Sequence, residues 1–305
     1  MIRLPLSLLS ALALAACGGN GPVDTGPPPD VKLDQANNAG TQALSMDLPS
    51  LAVRQYKVAL SRAYERDDAG AIGDVAYNLA LAQMKAGDSK GAIATAREAR
   101  GELNRRRAPV PPELILVQAA ASYRIGDLGA AAGAAQEVLD SGAKDPDVVR
   151  RAWFIRGLVA ADRSDAAGLA QAIAALAALP PTKQADLEAD RQELQGRAAL
   201  LANDSAGALS LFEQSASNRQ QALDYRGMAR ALSLAGDAAL RSGRAADAAD
   251  LFLRAGRSAL LRGDTATATP LLKRAEDLGK QTGQTGIVNE VARLRKVAAA
   301  QTTKA

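Results

Sequence analysis

The sequence predicts an all-α protein built of antiparallel helix pairs stacked into one array. Three observations carry that prediction. From about residue 50 onward apolar residues recur at helical spacing, with no alternating stretch of strand type. Between Ala76 and Met84, for example, Ala76, Leu79, Ala80, Gln83 and Met84 share a face on which only Gln83 is polar. Short turn signals then interrupt the pattern at Gly87-Asp88, Gly126-Asp127, Ser164-Asp165, Asn203-Asp204, Gly243-Arg244 and Gly263-Asp264. The first five lie 39, 38, 39 and 40 residues apart, and spacing that regular marks an internal repeat. Finally, about a fifth of the 305 residues are Ala, which suits helices that cross closely.

Each turn signal has a mechanical reading. A Gly ends one helix in the left-handed conformation, and the Asp or Ser after it caps the next. The units between the turns resemble the tetratricopeptide repeat (TPR), a helix–turn–helix unit with small residues where its two helices cross. The first unit carries Asn78-Leu79-Ala80, Lys85-Ala86-Gly87-Asp88, Ala92-Ile93 and Ala99, and the second Ala119, Gly126, Asp127 and Ala131. Trp153 and Gly157 supply the aromatic-x3-Gly of the third, although Leu169 stands where Ala is usual. Gly196, Ala208 and Phe212 mark the fourth, and Gly236, Ala248, Phe252 and Ala255 the fifth. The resemblance implies a right-handed TPR-like α-solenoid over residues 49–300, with Gly236 and Ala248 at a close helix crossing. The period is nearer 39 than 34, and the turn at Gly263 follows the previous one by only 20 residues, which predicts one long helix over about 245–262.

A repeat cannot bury its own apolar face, so the ends of the array need caps. A helix over Leu51–Glu65 is predicted to cover one end, and Ile287–Ala299, with Val291 and Leu294 inward, the other. Arg105-Arg106-Arg107-Ala108-Pro109-Val110-Pro111-Pro112 is predicted to break the array as a rigid loop, because proline cannot occupy a helix interior. Residues 301–305 are predicted to be a disordered tail.

The N-terminus is of another kind. In MIRLPLSLLSALALAAC, Arg3 precedes an apolar run from Leu4 to Leu14, and Ala15 and Ala16 stand before the break. That is the order of a secretory signal, and the run is shorter than the ~20 apolar residues a membrane span needs. Leu14-Ala15-Ala16-Cys17 resembles the lipobox of bacterial lipoproteins. The resemblance implies cleavage of residues 1–16 and acylation of Cys17 with diacylglycerol and palmitate, and Gly18 in place of Asp leans towards the outer membrane. Cys17 is the one cysteine of the chain, so it has no internal disulfide partner. Residues 17–48 are predicted to be a tether, Gly/Pro-rich through residue 30 and at best partly ordered from 31 to 48.

Composition narrows the function. There is no His, which excludes His-based acid/base catalysis, Ser-His and Cys-His nucleophiles and nearly all zinc sites. No glycine loop carries the Lys-Ser/Thr of a phosphate cradle, and Asp186, Glu188 and Asp190 read as a solvated helix face. Neither the net charge of +4 nor the 3% of aromatic residues points to nucleic acid. The sequence therefore predicts no enzymatic activity, no cofactor and no metal. It predicts a membrane-anchored, periplasm-facing scaffold or adaptor that binds a protein or peptide in cell-envelope assembly.

The TPR resemblance implies a concave groove lined by the first helix of each pair. Carried over residue by residue, groove positions fall on Tyr77, Leu81 and Lys85, then Leu116, Tyr123 and Arg124, then Arg151, Phe154 and Leu158. Glu193 and Arg197 follow, then Arg230, Asp237 and Arg241. Of these, Tyr77, Lys85, Tyr123, Arg124, Arg151, Phe154, Arg197, Arg230 and Arg241 are the predicted partner-binding residues, because Arg and aromatic side chains anchor interfaces. With no ligand bound, their side chains are expected to be mostly solvated. A second reading gives the triple Arg at 105–107 an anionic glycan or lipid as its ligand.

Overall fold

The computed structural model describes residues 29–302, with side chains to residue 296. Cys17, the predicted signal segment and the predicted tether as far as residue 28 lie outside the described residues. Within them the chain is helix after helix. The first seven are α1 (Val31–Ser45), α2 (Pro49–Glu65), α3 (Ala69–Lys85), α4 (Ser89–Arg105), α5 (Pro112–Arg124), α6 (Leu128–Asp140) and α7 (Pro146–Asp162). They are followed by α8 (Ala166–Ala178), α9 (Ala185–Leu201), α10 (Ser205–Gln221), α11 (Tyr225–Arg241), α12 (Ala245–Leu261), α13 (Thr265–Gln281) and α14 (Thr285–Thr302).

The true unit of length is the single helix. A 17-residue helix and a three-residue turn make a step of 20, and Asp47, Asp67, Gly87 and Arg107 occupy the left-handed region at that step. The same step returns at Asn203, Leu223, Gly243, Gly263 and Gly283. In most turns an Asp follows and caps the next helix, as Asp88 does by accepting from Gly91 N at 2.8 Å. The 39-residue spacing of the sequence signals is thus two such steps, slightly shortened in the middle, where α5, α6 and α8 have only 13 residues. The helix α12 is not unusually long; it matches α11 before it and α13 after it.

Each helix packs on the next, and α3, α5, α7 and α9 also pack on one another, which places them in one layer. The core between the layers is dense with Ala, and Gly196, Ala208, Phe212, Gly236, Ala248, Phe252 and Ala255 are all buried in it. Gln83, the polar residue on the apolar face of α3, is buried and accepts from Thr95 Oγ1 at 2.9 Å. Ile287, Val291 and Leu294 are buried and close the C-terminal end, and α14 runs to Thr302, past the predicted end of the domain at 300.

Three expectations are corrected. Residues 31–45 are helix, and α1, not Leu51–Glu65, covers the N-terminal end. The segment looked weakly patterned because its inward positions are Ala36, Gly40 and Ala43, whose small size lets Tyr56 of α2 lie against it. Asp30 caps α1 through Lys32 N and Leu33 N and also takes Arg62 at 2.7 Å and Arg66 at 3.2 Å. The Pro-rich segment does not break the array either: Pro112 opens α5, where a missing N–H costs nothing, and Pro111 rests on Gly73.

Candidate partner-binding groove

Arg226, in the first turn of α11, donates to the carbonyls of Met84 and Lys85 at the end of α3, each at 3.4 Å and more than 140 residues away. Such a contact requires the array to curl, with the layer of odd-numbered helices on the inside. That inner wall is where the predicted binding residues lie.

Its centre is a network of buried charge. Glu193 on α9 is fully buried and receives Arg230 Nη2 of α11 at 2.8 Å, Arg219 Nη2 of α10 at 2.9 Å and Arg197 Nη2 at 3.3 Å. Burial alone would raise its pKa, but Arg230, Arg219 and Arg197 outweigh that cost and hold it at about 2. One turn earlier, Asp190 accepts from Arg219 Nη2 at 2.7 Å and faces Arg151 Nη1 at 3.5 Å. Burial wins there, and the Asp190 carboxyl is pushed up despite Arg219 and Arg151. Arg219 itself is buried, lies 6.0 Å from the Phe154 ring centre, and also reaches Asp224, the N-cap of α11, at 3.0 Å.

The network runs on towards the N-terminal repeats. Asp162, at the end of α7, accepts from Arg197 Nη1 at 2.9 Å and from the Tyr123 hydroxyl at 2.7 Å. Burial and Asp162 together hold the Tyr123 phenol well above its ordinary range. Arg151 pairs with Asp186 as well as Asp190. The sequence-predicted residues Tyr123, Arg151, Arg197 and Arg230 are therefore joined through internal carboxylates, and Phe154 through Arg219. Phe154 and Arg197 are largely buried, whereas Arg151 and Arg230 stay partly exposed but already hold carboxylate partners.

The rest of the predicted set is placed differently. Arg124 donates to Met84 O at 2.9 Å and has no ion pair among the described residues. Tyr77, Leu81 and Leu116 are half-buried on the wall, Lys85 is exposed at the end of α3, and Leu158 is core. Asp237 pairs with Arg274 of α13, and Arg241 is exposed at the far end of α11. Sequence reasoning missed Asp162, Asp190, Arg219 and Arg226. Asp190 is not on a solvated face; with Glu193 it interrupts the stripe of Leu187 and Leu194, a readable sign of buried charge.

At the basic loop, Arg105 pairs with Glu102, and Arg106 pairs with Glu102 and Asp67, which leaves Arg107 exposed in the left-handed turn. Among the described residues there is no cluster of His, Cys, Asp and Glu able to hold a metal, and no helix long and apolar enough to cross a membrane.

No family profile matches the chain, and no curated protein matches it in sequence. Solved structures do match in fold. A Rap protein in complex with competence and sporulation factor is similar over 89% of this chain and 98% of its own, with 15% identity and a TM-score of 0.51. The fold is a TPR-like α-solenoid. A tetratricopeptide repeat protein from Parabacteroides merdae is similar over 86% of this chain and 99% of its own, with 14% identity and a TM-score of 0.49. The TPR2AB-domain:pHSP90 complex of yeast Sti1 matches over 88% and 98%, with 15% identity and a TM-score of 0.36.

Proposed function

We propose that this chain is a non-enzymatic scaffold that holds a protein or peptide partner in the groove walled by α3, α5, α7, α9 and α11. The carrying observation is the curled layer of odd-numbered helices, with Tyr77, Leu81 and Leu116 half-buried along it and charged residues concentrated around them. The Rap protein, a neighbour in fold, was solved in complex with a factor, and an inner wall of this shape suits a bound segment. The finer reading is that Cys17 carries the lipid anchor and that the scaffold works in the periplasm at the outer membrane, in envelope assembly. The lipobox resemblance at Leu14-Ala15-Ala16-Cys17 supports it. The reading through the basic loop loses its support, because two of its three arginines already have carboxylate partners.

Photo-crosslinking residues placed at Leu81 and Leu116 test the groove, with the same residue at exposed Glu213 on the outer helix α10 as control. Discrete adducts from the two groove positions alone support the scaffold; equal labelling from Glu213 defeats it. Cys17→Ser tests the anchor. That variant should lose membrane fractionation or stay a precursor, and normal processing with normal fractionation would rule the anchor out.

A further inference from the structure

Resting on that groove reading, we propose that Arg124, Arg226 and Arg262 form a carboxylate-receiving site that seats an acidic residue of an extended, partly apolar peptide. The site lies where α11 closes against the end of α3. Two guanidinium groups from different helices converge there on one carbonyl oxygen: Met84 O takes Arg124 Nη1 at 2.9 Å and Arg226 Nη1 at 3.4 Å. Arg262, just past α12, lies beside the first turn of α11, because the two helices pack on each other across a short turn and so run in opposite directions, and it donates to Ser258 O at 3.1 Å.

None of the three has an ion pair among the described residues, in contrast to Arg151, Arg197, Arg219 and Arg230. The nearby acids are already engaged or exposed. Asp224 is held by Arg219 and Gly227 N, Asp264 accepts from Thr267 N, and Asp47 sits exposed in its turn. The C-terminal end of α3 supplies about half a negative charge against three full positive ones. Their mutual repulsion is felt: crowding by the groove walls and then Arg226 and Arg230 bring Arg124 down to about 10, and burial and Arg226 lower Arg262 as well.

An anion would answer all three, and the planar fork of Arg is matched to a carboxylate. The apolar part of the ligand follows from what borders the charges. Each arginine is next in sequence to an exposed apolar side chain, Ile125, Tyr225 and Leu261 respectively. A bare anion would leave these unused; a peptide with Asp or Glu beside apolar residues covers both.

The test is a phage-displayed random heptapeptide library panned on the purified full chain. Selected peptides should be enriched in Asp or Glu next to apolar residues. They should bind Arg226→Gln with Arg262→Gln at least tenfold more weakly by fluorescence anisotropy, and Arg254→Gln, exposed on α12 outside the groove wall, as the wild type. If the double variant melts lower, Arg262→Gln is read alone, since its recorded hydrogen bond lies within α12 and its loss leaves the groove walls in place. Selection of no peptide, peptides without acidic enrichment, or unchanged binding to the variants would overturn the site. So would capture of phosphatidylglycerol vesicles in place of peptides. If crosslinks from Leu81 and Leu116 persist under any of these outcomes, the groove reading stands and the carboxylate site alone falls.

Discussion

Gly236 of α11 lies against the ring of Phe252 in α12, so closely that a Cβ on Gly236 would sit 2.7 Å from the ring. The same relation, 16 residues apart in sequence, joins Gly196 to Phe212 and Gly40 to Tyr56, with Leu272 taking the ring's place over Gly256. In each of these four neighbouring pairs one large side chain of the later helix is thus set into a notch in the helix before it. The notch is the absence of a Cβ.

Gly236→Ala should therefore destabilise the fold by about 1–3 kcal/mol through overpacking, although Ala is the better helix former. Gly133 of α6 is the control, because it is helical and a Cβ there meets nothing within 4 Å. Gly133→Ala should stabilise by about 0.5–1 kcal/mol on propensity alone. Urea unfolding of the two variants checks the opposite signs, and equal shifts would mean that α11 and α12 do not cross at Gly236.

A second prediction concerns the turn before α11, where Leu223 is exposed and held at φ 57°. A side chain with a Cβ costs about 1–2 kcal/mol in the left-handed region. Leu223→Gly removes that strain, at the expense of about 0.4–1 kcal/mol from the freer unfolded chain. The net should be a gain of about 0.5–1 kcal/mol, visible as a higher melting temperature. Gly243→Ala, at the equivalent place one helix later with φ 76°, should move the melting temperature down.

Those two turns also show what was legible in the sequence. Gly87, Gly126, Gly243 and Gly263 announce a left-handed residue, so the turns that hold them could be read. Leu223 holds the same conformation with nothing in its chemistry to announce it, so that turn went unread, whereas the turn at Arg107 was legible through the prolines after it and the helix expected over about 245–262 is α12. The helix α1 was missed for a related reason, since Ala and Gly carry little hydrophobic signal yet permit the tightest packing. In the groove, the TPR resemblance implied Tyr123, Arg151, Phe154, Arg197 and Arg230, which lie on α5, α7, α9 and α11. What spacing does not encode is that Arg219, from a second helix of a pair, reaches through to Asp190 and Glu193 and occupies their charge.

Glu193 gives the pH dependence. Its folded pKa of about 2 lies below the ordinary 4.5, so its contribution to stability is full above pH 4.5 and is lost as the pH falls towards 2. Asp190 acts in the other sense: its folded pKa is raised, so protonation there favours the folded state as the pH falls. Glu193→Gln should destabilise at pH 7 by about 3–5 kcal/mol, because three arginines keep their charge and lose its answer. Its stability should also fall less between pH 4.5 and 2 than that of the wild type. Parallel pH curves for the two proteins, followed by urea unfolding, would show that Glu193 is not the group titrating.

The double variant Tyr123→Ala with Arg151→Glu separates a solvated groove from a braced one. Side chains that merely wait for a ligand can be replaced with little effect on stability, within about 0.5 kcal/mol. In this groove Tyr123 braces Asp162, and Arg151 is the charge that Asp186 and Asp190 face. Arg151→Glu replaces that cation with a third acid beside two others, one of them buried, so repulsion adds to the loss of the pair. The double variant should therefore melt well below the wild type, whereas Arg241→Glu, exposed at the end of α11, should melt with it. A melting temperature unchanged in the double variant would show that the Tyr123 and Arg151 contacts are not formed in solution, and would return both side chains to the pool available to a partner.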